Sequence, residues 1–303
     1  MIRRQAVAQV ETQSFRDVVR AVLPSVIYDA LRQMRDRLAG REPVWEYVPE
    51  GWARALSDPR VQGWNVDAVL DRYRLLWPHW TRALAGTGTL GVDYTSSLRI
   101  QDTDAREFPT DLPWAHNAII SYAYVLALTA RHRDRVSIFD WGGGVGQFLP
   151  LSKELLPRVE LEYHVKDVPV LCSLGRTLNP EVHFHEDDSW QGRSYDLVFS
   201  SSAFQFTEDL RGTLEALAKV AHRHLFISRF PIVFRSSSFV VLQRAESYFE
   251  TQFLGWFVNR DEFLDCAIGA RLELVREFVM MDETPAHGAP EQATYRGFLF
   301  RPA

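Results

Sequence analysis

Ile138-Phe139-Asp140-Trp141-Gly142-Gly143-Gly144-Val145-Gly146 is the stretch on which the reading of this chain turns. An apolar run leads into four glycines and a helical pattern follows them, so the glycines stand where a strand ends and a helix begins. Glycine lets a backbone turn tightly and approach a ligand closely, and the N-terminus of the next helix presents partial positive charge. The segment is therefore expected to cradle a nucleotide-type ligand. A dinucleotide fingerprint needs glycine at its sixth place, where Gln147 stands counting from Gly142 and Leu149 counting from Gly144. A P-loop is excluded too, because no Gly-Lys-Ser/Thr follows.

Outward from this turn, short apolar runs alternate with helical patterns, the signature of a βαβ sheet. Strands are expected near Val136–Trp141, Leu161–Lys166, Val182–His185, Asp196–Ser200, Leu225–Arg229, Arg271–Val279 and Tyr295–Phe300. Helices are expected near Gly146–Leu156, Val168–Leu178, Glu208–His222 and Arg260–Ile268, with a further helical run over Ala115–Arg131. The fold class is thus α/β, a Rossmann-like sheet of seven strands with helices on both faces. The first 112 residues read differently. An apolar stripe with flanking arginines runs from Val18 to Leu38, broken by Pro24, and a stretch rich in Trp, Pro and Gly follows to Pro113 with a short helical pattern at Val66–Trp77. These residues are expected to form a mainly helical cap serving substrate binding or dimerisation, with 113–303 as the main domain.

Asp140 lies two places before the first glycine, giving the pattern Asp-x-Gly-x-Gly-x-Gly. In this the segment resembles class I S-adenosylmethionine-dependent methyltransferases. The resemblance implies cofactor contacts from Asp140, Gly142, Gly143, Gly144 and Gly146, with Asp140 holding the cofactor's ammonium group. Asp167 and Val168 close the second strand, where a carboxylate would accept the ribose hydroxyls. Asp187, Asp188 and Ser189 follow the third, where a carboxylate and a backbone amide can read the adenine edge. Ser200 and Ser201 end the fourth, which faces the reacting methyl group. A glycine-rich turn or a carboxylate at a strand end means little alone; these features in register from Asp140 to Ser200 point to S-adenosyl-L-methionine.

Trp45–Leu56, the run from Phe199 to Phe206, Ile227-Ser-Arg-Phe-Pro, the Val240–Gln243 strand, Gly255-Trp-Phe-Val-Asn-Arg and Tyr295-Arg-Gly-Phe-Leu-Phe resemble a narrower, little-characterised family of bacterial methyltransferases. That family is associated with surface-glycan or secondary-metabolite pathways, which implies transfer of a methyl group to a small-molecule or glycan-precursor acceptor. Gln205-Phe206 stands where many methyltransferases have Leu-His, so no catalytic histidine carries over there.

Ligands of open α/β sheets bind beyond the carboxyl ends of the strands. Segment 230–258, long for a bare connection, is expected to be an acceptor lid. Gln243, Tyr248 and Trp256 within it, with Gln205 before it, are the candidate substrate contacts, and the aromatics Phe239, Phe249, Phe253 and Phe257 either wall the pocket or fill core. Arg229, directly after the fifth strand, and His116 are the catalytic candidates; His164, His183, His185 and His287 are looser candidates for a base, with His185, on the third strand, facing the wrong end. A cofactor-binding partner or sensor that transfers nothing is the alternative function.

The 303 residues are 46% hydrophobic and 24% charged, with a net charge of −5. That composition suits a protein with a substantial core and ranks small acceptors above nucleic acid. The fourth strand also lacks an Asn/Asp-Pro-Pro-Tyr/Phe type motif. Cys172 and Cys266 lie far apart with no metal spacing, so neither a disulfide framework nor a metal site is expected. No signal-like or membrane-spanning run occurs, so a cytoplasmic protein without an integral membrane segment is expected, with a homodimer compatible with the N-terminal stripe.

Overall fold

The computed structural model describes residues 45–88, 90–91, 112–244 and 249–303, all within one compact unit, Val44–Ala303. The Val18–Leu38 stripe and Tyr248 lie outside the described residues. In chain order the unit contains β1 (Trp45–Tyr47), a single helical turn (Trp52–Ala55), α1 (Asp67–Ala85), α2 (Pro113–Ala130), β2 (Arg135–Trp141), α3 (Phe148–Leu155), β3 (Glu160–Lys166), α4 (Pro169–Leu178) and β4 (His183–His185). There follow β5 (Tyr195–Ser201), α5 (Leu210–Val220), β6 (Ala221–Val233), β7 (Phe239–Arg244), β8 (Gln252–Asn259), α6 (Arg260–Gly269), β9 (Leu272–Thr284), β10 (Ala286–His287) and β11 (Ala293–Pro302).

The core of the sheet runs β4-β3-β2-β5-β6-β11-β9. Pairings from β4 to β6 are parallel, and β11 runs antiparallel to both β6 and β9. Alternation along the strands sends side chains to two cores. Val136, Ile138, Leu197 and Phe199 join α1 to α4 on one face, while Phe139, Val198, Leu225 and Ile227 join α5 and α6 on the other. Buried on both faces, these strands read as the near-continuous apolar runs that placed them.

The sheet holds eleven strands among the described residues, more than the seven expected. The additional strands are β1, β7, β8 and β10, which pair as β10-β1-β7-β8 and join the core where Ile232 and Val233 of β6 meet Val258 and Asn259. Segment 230–258, expected as a lid, is thus largely sheet. β6 also runs four residues past its expected end at Arg229. β5 leaves its flank at Ser228 and β8 takes up that flank at Ile232, so Pro231 falls in the gap where a missing N–H breaks no ladder on that side. Arg229 makes the bend with φ 52°. No helix of the described residues is long and apolar enough to cross a membrane.

Candidate active site

The strand order reverses at β2, which lies between β3 and β5. Such a switch point opens a crevice at the carboxyl ends of the strands, and here it holds a cavity of about 220 Å³. It is lined by Trp141 and Gly142 at the end of β2, by Lys166, Asp167 and Val168 at the end of β3, and by Ser201, Ser202 and Ala203 at the end of β5. Trp64, Tyr73 and Phe206 supply aromatic walls, and Gln147 and Arg229 complete the polar lining.

The glycines are required by geometry. Gly142, Gly144 and Gly146 have φ of 71°, 58° and 80°, values that L side chains rarely adopt. A Cβ on Gly142 would lie 2.2 Å from Ala203 Cβ, one on Gly143 2.6 Å from Asp140 Cγ, and one on Gly144 2.8 Å from both Tyr73 Cε1 and Gln147 Oε1. The loop is therefore clasped by β5's exit, by Asp140 below and by α1 at its side.

Asp167 is the carboxylate of the polar lining. Its Oδ2 accepts the Gly144 N–H at 2.6 Å and its Oδ1 accepts the Val168 N–H at 2.7 Å, tying β3's end to the glycine loop. Burial pushes its carboxyl up to about 6, against the pull of those two amides. Asp140 is 1% exposed beneath the loop, accepts the Tyr163 hydroxyl at 2.9 Å and does not line the cavity. Burial raises it to about 7; the Tyr163 hydrogen bond opposes the rise and the Asp167 charge adds to it.

Other expected residues divide. Arg229 lines the cavity, where its Nε donates to Ser201 Oγ at 3.0 Å and its guanidinium lies 5.8 Å from the Trp114 ring centroid. Ser202, beside it, has φ 55°. Left-handed backbone at Ser202, just after β5, and at Arg229, within the neighbouring β6, is the kind of stored strain that clusters at functional sites. Ser200 is buried without lining the cavity, and Asp187, Asp188 and Ser189 are exposed on the loop after β4, where Asp187 accepts the Ser189 N–H. His116 is exposed on α2, and neither it nor His287 lines the cavity. Gln205 is buried beside the cavity with its Nε2 3.4 Å from Ser202 Oγ. Gln243 and Trp256 belong to the additional strands β7 and β8, where Trp256 stacks on Trp52 at 5.8 Å and donates to Thr207 O.

Sequence reading missed Trp64, Tyr73, Lys166, Gln147 and Phe206 in the lining. Trp64 stacks on Phe253 at 3.9 Å and meets Phe206 and Phe249 edge-on, so Phe249 and Phe253 back the wall instead of facing the cavity. The helical pattern at Val66–Trp77 covered Tyr73, but nothing local said that this helix meets the glycine loop. Gln147 Oε1, buried at the loop, has no hydrogen-bond partner among the described residues.

A separate cluster gathers Glu162, His164 and His183 on β3 and β4. The sequence showed no metal spacing because the two histidines come together only through strand pairing.

No protein-family model and no curated protein matches the sequence. Among solved structures, the chain is similar to magnesium protoporphyrin IX methyltransferase from Synechocystis, with bound S-adenosylhomocysteine, at 14% identity and TM-score 0.44, covering 78% of this chain and 98% of that one. It is also similar to an amino pentose methyltransferase from Micromonospora echinaspora with bound S-adenosylmethionine, at 14% identity and TM-score 0.41, over 63% and 92% of the two chains. A third is the 1,6-didemethyltoxoflavin-N1-methyltransferase of Burkholderia thailandensis, at 16% identity and TM-score 0.40, over 69% and 89%. Likenesses this distant transfer no substrate or residue role to this chain.

Proposed function

We propose that this chain is an S-adenosyl-L-methionine-dependent methyltransferase acting on a small-molecule or glycan-precursor acceptor. The observation that carries the reading is Asp167: a half-buried carboxylate at the end of β3, bonded to the glycine loop and facing a cavity at the switch point of the sheet. Its remaining lone pairs suit two ribose hydroxyls. Gln147 Oε1, an acceptor without a partner among the described residues, suits the ammonium of the cofactor's amino-acid end. Gly142 and Gly144 hold left-handed backbone against Ala203, Tyr73 and Gln147, where any side chain would collide, and so fix the shape of the loop at the cavity. When bound, the cofactor supplies an electrophilic methyl group for in-line displacement.

The chain's own residues would then exclude water and fix alignment, which supply much of the rate in such a transfer. Trp64, Tyr73 and Phe206 present aromatic faces suited to a sulfonium. Arg229, held by Ser201, would orient the acceptor. In this reading residues 113–303 hold the cofactor, and Trp64 and Tyr73, from the segment before them, shape the acceptor side.

Calorimetric titration with S-adenosylhomocysteine tests the assignment. Saturable binding, weakened roughly tenfold or more by Asp167→Ala, is expected from losing charge-assisted hydrogen bonds; no binding, or binding indifferent to that substitution, overturns it. Mass spectrometry of extracts incubated with isotopically labelled cofactor separates the rival: binding with no labelled product means a cofactor-holding partner protein.

A further inference from the structure

β3 and the edge strand β4 pair in parallel with His164 opposite His183 and Lys166 opposite His185. With period-two alternation, Glu162 and His164 of one strand share a face with His183 and His185 of the other. His164 is 1% exposed, yet each of its ring nitrogens has a partner: Nε2 lies 3.0 Å from Glu162 Oε1 and Nδ1 lies 3.0 Å from His185 Nε2. His185 Nδ1 in turn lies 2.9 Å from Ser189 Oγ. The His183 ring stacks on His164 at 4.6 Å and 26°, and it is exposed to solvent. One ligand atom from each of Glu162, His164 and His183 lies within 4.8 Å of the others.

We propose that Glu162, His164 and His183 form a binding site for a divalent transition-metal ion, zinc by its donor set, that clips β4 onto the sheet. Two imidazoles and one carboxylate suit zinc and its neighbours and suit magnesium and calcium poorly. Ligands about 2.0 Å from a tetrahedral ion stand about 3.3 Å apart, so the 3.0 Å gap between His164 Nε2 and Glu162 Oε1 need open only slightly. His183 swings from the solvent side, which also leaves a fourth position for water.

The surrounding groups fit the assignment. A ligating histidine needs its other nitrogen held by an acceptor. His164 Nδ1–H can donate to His185 Nε2 while His185 Nδ1–H donates to Ser189 Oγ, so the same hydrogen-bonded chain accommodates the ligating tautomer with no net proton gained or lost. Arg135 holds Glu162 Oε2 at 2.8 Å and so leaves Oε1 for the ion. Arg193, 3.4 Å from Oε1, is a like charge that weakens binding. β4 is a three-residue edge strand, the kind of element that gains most from a second tie to its neighbour.

Zinc titration of the full chain by calorimetry, with cobalt(II) absorption as a geometric readout, tests the site. A saturable one-ion event is expected, with a Tm that rises with zinc. His183→Ala, an exposed position whose loss should leave the fold intact, is expected to weaken binding more than tenfold and abolish the Tm rise. His185→Ala is expected to weaken it about tenfold, the usual effect of removing such an outer partner, and Arg193→Gln is expected to tighten it. Absence of saturable zinc binding, equal affinity in His183→Ala, or a response to magnesium as strong as to zinc would each overturn the proposal.

Discussion

Gly142 adopts φ 71°, and a Cβ there would lie 2.2 Å from Ala203 Cβ. Gly142→Ala therefore combines left-handed strain with an overpacked contact, and should destabilise the chain by about 2–4 kcal/mol while weakening S-adenosylhomocysteine binding. Denaturant unfolding and calorimetry measure the two effects separately. At Asp167 the carboxyl, raised to about 6 by burial, must be ionised to accept two hydroxyls as well as two amides. Affinity for S-adenosylhomocysteine is accordingly expected to rise as pH increases through about 6, and to become flat across that range in Asp167→Asn. A profile identical in the two proteins would remove Asp167 from the cofactor contacts.

At the scale of elements, α1 is held by a face that reads plainly in the sequence and a partner that does not. Val69, Tyr73, Leu76 and Trp80 are buried, and Trp80 Nε1 donates to Gln147 O at 2.8 Å, just where α3 begins. Trp80→Ala should cost about 3–5 kcal/mol, as large aromatic truncations in cores do, and should loosen the glycine loop from outside the cavity. Loss of stability with unaltered ligand affinity would show that α1 supports the fold but not the cradle. α6 offers an independent check. Asn259 caps it, accepting from Asp261 N and Glu262 N at 2.9 and 3.1 Å while donating to Ser236 O at 2.7 Å. Asn259→Ala should cost about 1–2 kcal/mol in unfolding free energy without changing cofactor affinity.

For the molecule as a whole, two carboxyls make the folded state prefer protons. Asp140 is raised from 3.8 to about 7 and Asp167 to about 6, both chiefly by burial. The unfolded chain releases these protons first, so their contribution to stability is full below about pH 3.8 and is lost as pH rises to about 7. Thermal melts across that range should show Asp140→Asn with a shallower decline than the parent chain; equal slopes would mean that Asp140 is ionised in the fold. Zinc, on the proposed site, adds a stabilisation that depends on ion concentration and acts at the opposite edge of β3.

Local chemistry wrote the centre of this protein into its sequence. Turn glycines, period-two alternation and the order of apolar runs act over a few residues, so β2, the glycine loop and α3, and the position of Asp167 at the end of β3, were legible without coordinates. The same signals placed β6 but not its continuation, because the open flank between Ser228 and Ile232 that tolerates Pro231 exists only once β5 and β8 are in place. They also named Asp187, Asp188 and Ser189 after β4, which the fold leaves exposed. Tertiary structure alone decided the walls and the Glu162–His164–His183 cluster. Trp64, Tyr73 and Phe206 converge from distant segments, and Glu162, His164 and His183 meet through strand register, because packing selects contacts by shape and area across the chain rather than by spacing along it.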